Sequence, residues 1–597
     1  VHYESGIFGT RSVVDDPRFF ASPRGPRDPE AELEATLRAF LAPAEPRAEA
    51  ASTEGTPAED AAPPTKHPVC RFVARWEWLR DRLAIDESRV PLARCEPFET
   101  LYADLRPEAV SLIFPTSHMN SPASMFGHTL LTVGAASETS LLSHAINYSA
   151  VTDETFGPFY IAKGLLGLYP GYFSILPYYA KIQEYSDVND RDIWEYPLEL
   201  DAREIRRLLL HLYELENVNS NYYFFGENCS YHILYLLEAA REGLELTDRF
   251  GWWVIPLDTI RAVEESGLVR DAVYRPSKST KISHVASLLP DRARKEARRI
   301  ALGSLAPDDL LSEGTDRVEK IRICDLAGEY LQYAHAKGEI GKDVYVPRFL
   351  ATLRARSRLG ESEEGRYTIP APVRPDRGHL SGRLDAAAVV ASGEVFPQVA
   401  FRPAYHDLLD SAAGFKEGSQ IVFLETAFRY DPRRGKLRLE YLDAIDIVSI
   451  APRSLFFRHS SWRVETGLVR RWTRGGGDPL LFDLGTGFGR AWDIQGFGLP
   501  YGMLETDVLV GGALDGSCSV GAGAACGILG NLTAGWRVHL LARGMLYRLG
   551  ERNDRVQIGA GQNLRITRNA SLAVEVDRIG DSSRWRTETK IGGRVFF

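Results

Sequence analysis

At 597 residues the chain can hold several domains, and 44% hydrophobic with 25% charged residues is an ordinary globular balance. The formal net charge of −9 argues against a nucleic-acid binder, which would cluster basic residues on one face. No stretch approaches the roughly 18 consecutive apolar residues of a membrane-spanning helix, so any membrane span must be a β-barrel.

The chain opens without the charged-then-apolar segment of an export signal, as the trimmed form of an exported protein would. Residues 1–41 close with "DPEAELEATLRAF", in which Leu33, Leu37 and Phe40 recur at helical spacing after an acidic start. A short amphipathic helix is expected there. Residues 42–66 are Ala, Pro, Glu and Thr with little to bury, so they read as an exposed, disordered linker.

From 67 to 270 the pattern is mixed. "AVSLIFPTSHMN" (109–120), "GHTLLTVG" (127–134) and "SLLSHAINYSA" (140–150) read as strands, whereas "AREIRRLLLHLYELE" (202–216) and "CSYHILYLLEAAREG" (229–243) carry leucines at helical spacing. That is an α+β domain. Residues 271–380 read as a helical connector.

Beyond 381 the segments become long, alternating and separated by Gly, Asp, Asn and Pro turns. In "SRWRTETKIGGRVFF" the odd positions from Trp585 to Phe597 are apolar or neutral, while Arg584, Arg586, Glu588, Lys590 and Arg594 fill the even ones. Such a strand offers one face to lipid and one to a polar lumen. Its final aromatic residue resembles the terminal signature of bacterial outer-membrane barrels, which implies insertion by the barrel assembly machinery. An antiparallel transmembrane barrel of about 12 strands over 381–597 is expected, the alternative being a soluble sandwich.

Six cysteines fall into two local pairs, Cys70/Cys95 and Cys518/Cys526, and two singles, Cys229 and Cys324. An exported protein would bridge both pairs and leave Cys324 a buried thiol. Paired two-Cys zinc spacing is absent, so neither metal nor cofactor is expected.

The candidate chemistry is His128 in "SHMNSPASMFGHTLL" with Cys229 in "GENCSYHILYLL". A thiol accepts an acyl group only as thiolate, so it needs a base and gains from a helix N-terminus. Asn228 is a good N-cap and would set Cys229 in the first turn. The competing reading is a core cysteine, since Cys229, His232, Ile233, Leu236 and Leu237 share one helical face.

Together, "SHMNSPASMFGH" and "ENCSYH", with "NYSA", "PYYAKIQEYS" and "RDIWEYPLEL" between them, resemble the Lnb-type periplasmic domain of bacterial lipoprotein N-acyltransferases. The resemblance covers about 67–270. The order of histidine on a strand, then cysteine opening a helix, is similar to the permuted NlpC/papain-like fold. It implies Cys229 as nucleophile, His128 as general base, and Asn147 or His144 as the residue that orients the imidazole, with Asn147 the better match to the family stretch. Ser117, His118, Asn120, Asn228 and Tyr231 are candidates for substrate binding, and the first three could equally form a turn. Glu227 reads as a solvated turn residue, and Arg191 with Asp192 as a structural ion pair at least as readily as a functional one. The apolar loop 156–179 would suit an acyl chain or a membrane surface, or simply a core.

The resulting expectation is an outer-membrane protein whose periplasmic domain acts on acyl groups of phospholipid or lipoprotein through a thioester. A peptidoglycan amidase or peptidase is the first alternative. A barrel protein with a ligand-binding, non-enzymatic periplasmic domain is the second.

Overall fold

In the computed structural model, the described residues are all but 1, 7–8, 43–66, 91–93, 118, 120–124, 137–139, 155–156, 252, 313, 315, 362–366, 495 and 582–583. The expected linker and the candidates His118 and Asn120 therefore lie outside the described residues, save Ala42 of the linker. Two compact units are present: residues 1–116 with 121–275, and residues 276–597 with the short stretch 117–120.

The first unit begins with a hairpin of β1 (Tyr3–Gly6) and β2 (Gly9–Ser12). Its main sheet contains β3 (Ala109–Pro115), β4 (Leu130–Gly134), β5 (His144–Ala150), β6 (Tyr169–Pro177), β7 (Ile193–Pro197), β8 (Ser220–Tyr222) and β9 (Val273–Arg275). Their order is β8-β6-β5-β4-β3-β7-β9, with antiparallel neighbours throughout. Strand β4 is buried along its whole length, so the sheet is covered on both faces.

The helix Cys229–Ala240 packs against β4 and β5 and is buried almost all round, as its leucine-rich sequence requires. Beside it lies Ala202–Glu214, whose start is fixed by a capping box between Asp201 and Glu204. The helix Pro29–Leu41 is capped by Asp28, but it buries Glu32, Thr36 and Phe40 and leaves Leu33 exposed. The expected face is rotated because Glu32 is drawn inward by the buried Arg75, 2.5 Å away. Arg75 also reaches Glu214 at 3.4 Å, joining three helices through one guanidinium. A Cys70–Cys95 disulfide, Cα atoms 5.1 Å apart, ties the helical turn Pro68–Arg71 to the start of Glu96–Leu105.

The second unit opens with helices Lys278–Ser287, Asp291–Leu302, Pro307–Ser312, Arg317–Ala336 and Lys342–Arg358. Cys324 is buried among them as a free thiol. Tyr330 and Tyr333 meet Phe456 and Phe457 edge-on at 5.1 and 5.2 Å, so the helices are seated on a turn of the sheet that follows.

That sheet has 14 strands. They are β10 (Arg383–Ala391), β11 (Glu394–Arg402), β12 (Ala404–His406), β13 (Ser419–Asp431), β14 (Lys436–Ser449), β15 (Pro452–Arg453), β16 (Ser461–Arg470), β17 (Leu480–Trp492), β18 (Leu499–Val510), β19 (Cys518–Thr533), β20 (Trp536–Gly550), β21 (Arg555–Thr567), β22 (Ala570–Asp581) and β23 (Trp585–Phe596). The short β12 and β15 apart, twelve antiparallel strands close on themselves through β10–β23 and β11–β13. Alternation sets the two faces: Trp585, Ile591, Val595, Phe488 and Leu504 point outward and are exposed, while Arg594, Glu505 and Arg463 point inward. Among the described residues no helix is long and apolar enough to cross a membrane.

The expected Cys518–Cys526 bridge is not formed. Both thiols are free and lie eight residues apart on the single strand β19, about 26 Å at ~3.3 Å per residue. The Gly/Ala-rich stretch between them is not a loop but strand, where small side chains still alternate between the faces.

Candidate active site

Asn228 supplies the N-cap of the helix that starts at Cys229. Its Oδ1 accepts from the backbone N–H groups of Ser230 and Tyr231 at 3.0 and 3.3 Å, and its Nδ2 donates to the Val254 carbonyl at 2.8 Å. With these bonds made, Asn228 holds the turn that carries Cys229. The cap puts the Cys229 thiol at the positive end of a 12-residue helix.

His128 lies just before β4, where Gly127 makes the approach possible. That glycine has φ of +98°, and a Cβ there would come within 2.5 Å of the Phe114 ring. The strand expected from 127 therefore begins at 130. His128 Nε2 donates to Asn147 Oδ1 at 2.7 Å, which leaves Nδ1 for the thiol. Asn147 Nδ2 donates in turn to Ser149 Oγ at 3.3 Å.

Cys229 is 2% exposed. Burial alone would raise its pKa, but the His128 charge and hydrogen bond, the Thr129 backbone N–H and the Tyr222 hydroxyl outweigh it and push the thiol down to about 6. The Tyr222 hydroxyl also accepts from the Cys229 N–H at 3.4 Å. Burial and the neighbouring Cys229 charge hold the Tyr222 phenol well above its ordinary range.

The wall beside the thiol is apolar. Cys229 shares a cluster with Tyr148, Tyr160, Tyr169 and Tyr222, and Phe173 and Phe224 pack against it. Tyr160 comes from the helix Pro158–Leu165, whose outer side and following turn expose Phe159, Leu165, Leu166 and Leu168.

His144 starts the strand that carries Asn147, opposite Val133 and Pro177, and the period of two turns it to the other face. Its Nδ1 is buried without a hydrogen-bond partner, while Asn147 holds His128. Tyr231, two residues along the helix from Cys229, turns away: its hydroxyl donates to Glu4 of β1, and its ring packs on Val13 and Val254. Ser117 is half-buried and follows Thr116 at the end of β3. Glu227 is only partly solvated. It is half-buried with Oε2 unpartnered, and burial pushes its carboxyl up to about 8 despite Arg11.

Arg191 finds partners other than Asp192: its Nε and Nη2 donate to the carbonyls of Thr116 and Pro115 at 2.6 and 2.7 Å. Asp192 instead accepts from the Tyr274 hydroxyl at 2.9 Å. The Arg191 guanidinium lies over the Tyr185 ring at 5.0 Å, and that ring is 6.0 Å from His128. Arg191 thus holds the end of β3. Sequence reasoning missed Tyr222, Thr129 and Tyr185. Thr129 contributes only its backbone, and Tyr222 carries no spacing signal, although it lies seven residues before the thiol.

Residues 97–266 match the Lnb N-terminal periplasmic domain. Three domains of unknown function match most of the rest: DUF7843 at 1–82, DUF7842 at 272–366 and DUF7840 at 372–596. No curated protein matches the chain. Among solved structures, the KdgM porin aligns at 8% identity over 36% of this chain and 99% of its own, with a TM-score of 0.23. The NanC porin aligns at 8% over 36% and 99% with 0.24, and an anion-selective porin from Comamonas acidovorans at 11% over 36% and 98% with 0.20. The barrel is defined by its own strand pairing and not by these likenesses. A closed, even-stranded antiparallel barrel with an apolar exterior and polar lumen is the form that spans the bacterial outer membrane. The chain is an outer-membrane barrel protein whose N-terminal unit is periplasmic and matches the Lnb N-terminal periplasmic domain over residues 97–266.

Proposed function

We propose that the N-terminal unit is a cysteine-dependent acyltransferase or hydrolase that takes an acyl group from phospholipid or lipoprotein through a thioester. The observation that carries this reading is the alignment of Cys229 at a helix N-terminus, His128 beside it, and Asn147 on the far ring nitrogen. In the first half-reaction the thiolate attacks the acyl carbonyl carbon, and His128 gives its proton to the departing oxygen as the thioester forms. In the second, an amine or water attacks the thioester, His128 takes its proton, and the thiolate leaves. The Tyr222 hydroxyl, whose oxygen accepts from the Cys229 N–H, keeps its own hydrogen to donate to an oxyanion on the thiol side.

The apolar wall favours an acyl chain over the polar peptide a cell-wall peptidase would cut. The order of a histidine ahead of one strand and a cysteine opening a helix supports kinship with the permuted NlpC/papain-like fold. In this reading the barrel tethers the enzyme to its membrane, and the barrel assembly machinery inserts it.

Mass spectrometry of the protein from its native membrane tests the proposal. An acyl adduct on Cys229, absent from Cys229→Ser, is the expected result. No adduct, together with unchanged lipoprotein or phospholipid processing in Cys229→Ser, would reject the enzyme and favour a binding domain.

A further inference from the structure

The barrel poses a separate question, whether its bore is open. Twelve strands stand between the eight whose interior side chains fill and the sixteen or more that leave an aqueous channel. A single inward turn is then enough to close the bore.

Such a turn follows β12. Asp407 Oδ1 accepts from the N–H groups of Leu409 and Asp410 at 2.8 and 2.9 Å, and Asp410 Oδ2 accepts from the Asp407 N–H at 3.0 Å. The two aspartates thus cap each other's backbone. On one wall, Asp410 is fully buried against Arg402 at 2.8 Å, Arg383 at 3.0 Å and Arg594 at 3.4 Å, from β11, β10 and β23. Asp407 pairs with Arg383 and Arg402 as well.

Leu408 faces another part of the wall. It is buried with Tyr501 and Met503 of β18 and Leu529 of β19, and its carbonyl accepts from Arg537 of β20. Leu409 lies over β21, where a Cβ on Gly561 would come within 2.7 Å of its Cδ1. One four-residue turn thereby touches β10, β11 and β23 through its carboxylates and β18 to β21 through its leucines. Only a segment inside the bore can do both. What remains beside it is a polar chamber of about 270 Å³ lined in part by Arg463, Glu505, Arg543 and Lys590.

We propose that Asp407–Asp410 is a built-in plug, latched to the wall by its two carboxylates, and that the barrel is a closed anchor and not a diffusion pore. The buried trio His379, His406 and Asp410 could be taken for a cation site, with ligand atoms within 4.8 Å of one another. The three arginines around Asp410 oppose a cation there, and the histidines bond to each other at 2.9 Å. The trio belongs to the latch.

Planar-bilayer conductance of the full chain tests the plug, with heat-dependent gel mobility showing that each protein is folded. The wild type should show no sustained open level, and Asp407→Ala/Asp410→Ala should open ohmic steps. If that variant loses the folded band, Leu408→Glu, which leaves the aspartates in place, is measured instead. A steady open level in the wild type overturns the proposal. So does silence in a folded variant, since something other than this turn would then close the bore.

Discussion

Asn147 Oδ1 holds His128 Nε2 at 2.7 Å from a neighbouring strand, 19 residues further along the chain. Loss of that acceptor should free the ring to rotate away from Cys229. We expect Asn147→Ala to slow thioester formation by about 10- to 100-fold with the fold intact by circular dichroism. Asn147→Asp, which keeps an acceptor oxygen, should lose less. Equal rates for Asn147→Ala and the wild type would show that the bond does not serve the chemistry.

The thiol itself titrates within reach of experiment. With its pKa pushed down to about 6 by His128 and its other partners, Cys229 becomes thiolate as pH rises through 6. Burial beside Asp325 instead pushes Cys324 up to about 12. Alkylation at pH 6.5 followed by peptide mapping should label Cys229 ahead of Cys324, and His128→Ala should erase the preference.

Glu227 gives a pH dependence of the opposite sign. Its folded pKa of about 8 lies above the ordinary 4.5, so the folded state binds the extra proton between those values. Stability from this group is present at low pH and is lost as pH rises towards 8. Glu227→Gln should therefore stabilise the first unit at pH 8 by roughly 1–3 kcal/mol and change little at pH 4. Thermal melts at the two pH values decide it, and an equal shift at both would contradict the burial argument.

The Cys70–Cys95 bridge closes a sequence separation of 25 residues. Replacing both cysteines by alanine should cost the first unit about 2–4 kcal/mol in denaturant unfolding. Non-reducing peptide mapping should recover the two peptides joined, and free thiols at both positions would refute the bond.

The closure of the barrel extends to Phe597. Phe597 and Gly382 exchange two backbone hydrogen bonds of 3.0 Å, beside the β10–β23 ladder. Deleting Phe597 removes both, so the heat-modifiable folded band should fall in outer-membrane fractions. An undiminished band would separate this residue from assembly.

Much of this was legible in the sequence where one physical signal dominated. Alternation over 584–597 revealed β23 and its two faces because lipid and lumen demand opposite side chains. Asn228 before Cys229 revealed the helix start because an N-cap is local. The thiol's neighbours were harder to see: Tyr222 and Arg191 reach the site through pairings set by the sheet, not by their own flanks. The Cys518–Cys526 error has the same origin, since Gly and Ala between two cysteines look like a turn until the register with β18 and β20 extends them.

The bridge in the first unit also decides which sulfur can meet which. In an oxidising compartment a low-pKa thiolate is prone to exchange with any thiol or strained disulfide it can reach. The first unit has three cysteines, and two of them are already joined to each other. Cys229 therefore has no second free thiol within its own unit, and its burial at 2% exposure screens it from those outside. The Cys70–Cys95 pairing keeps the third sulfur single, so that a nucleophile can persist where thiols ordinarily do not.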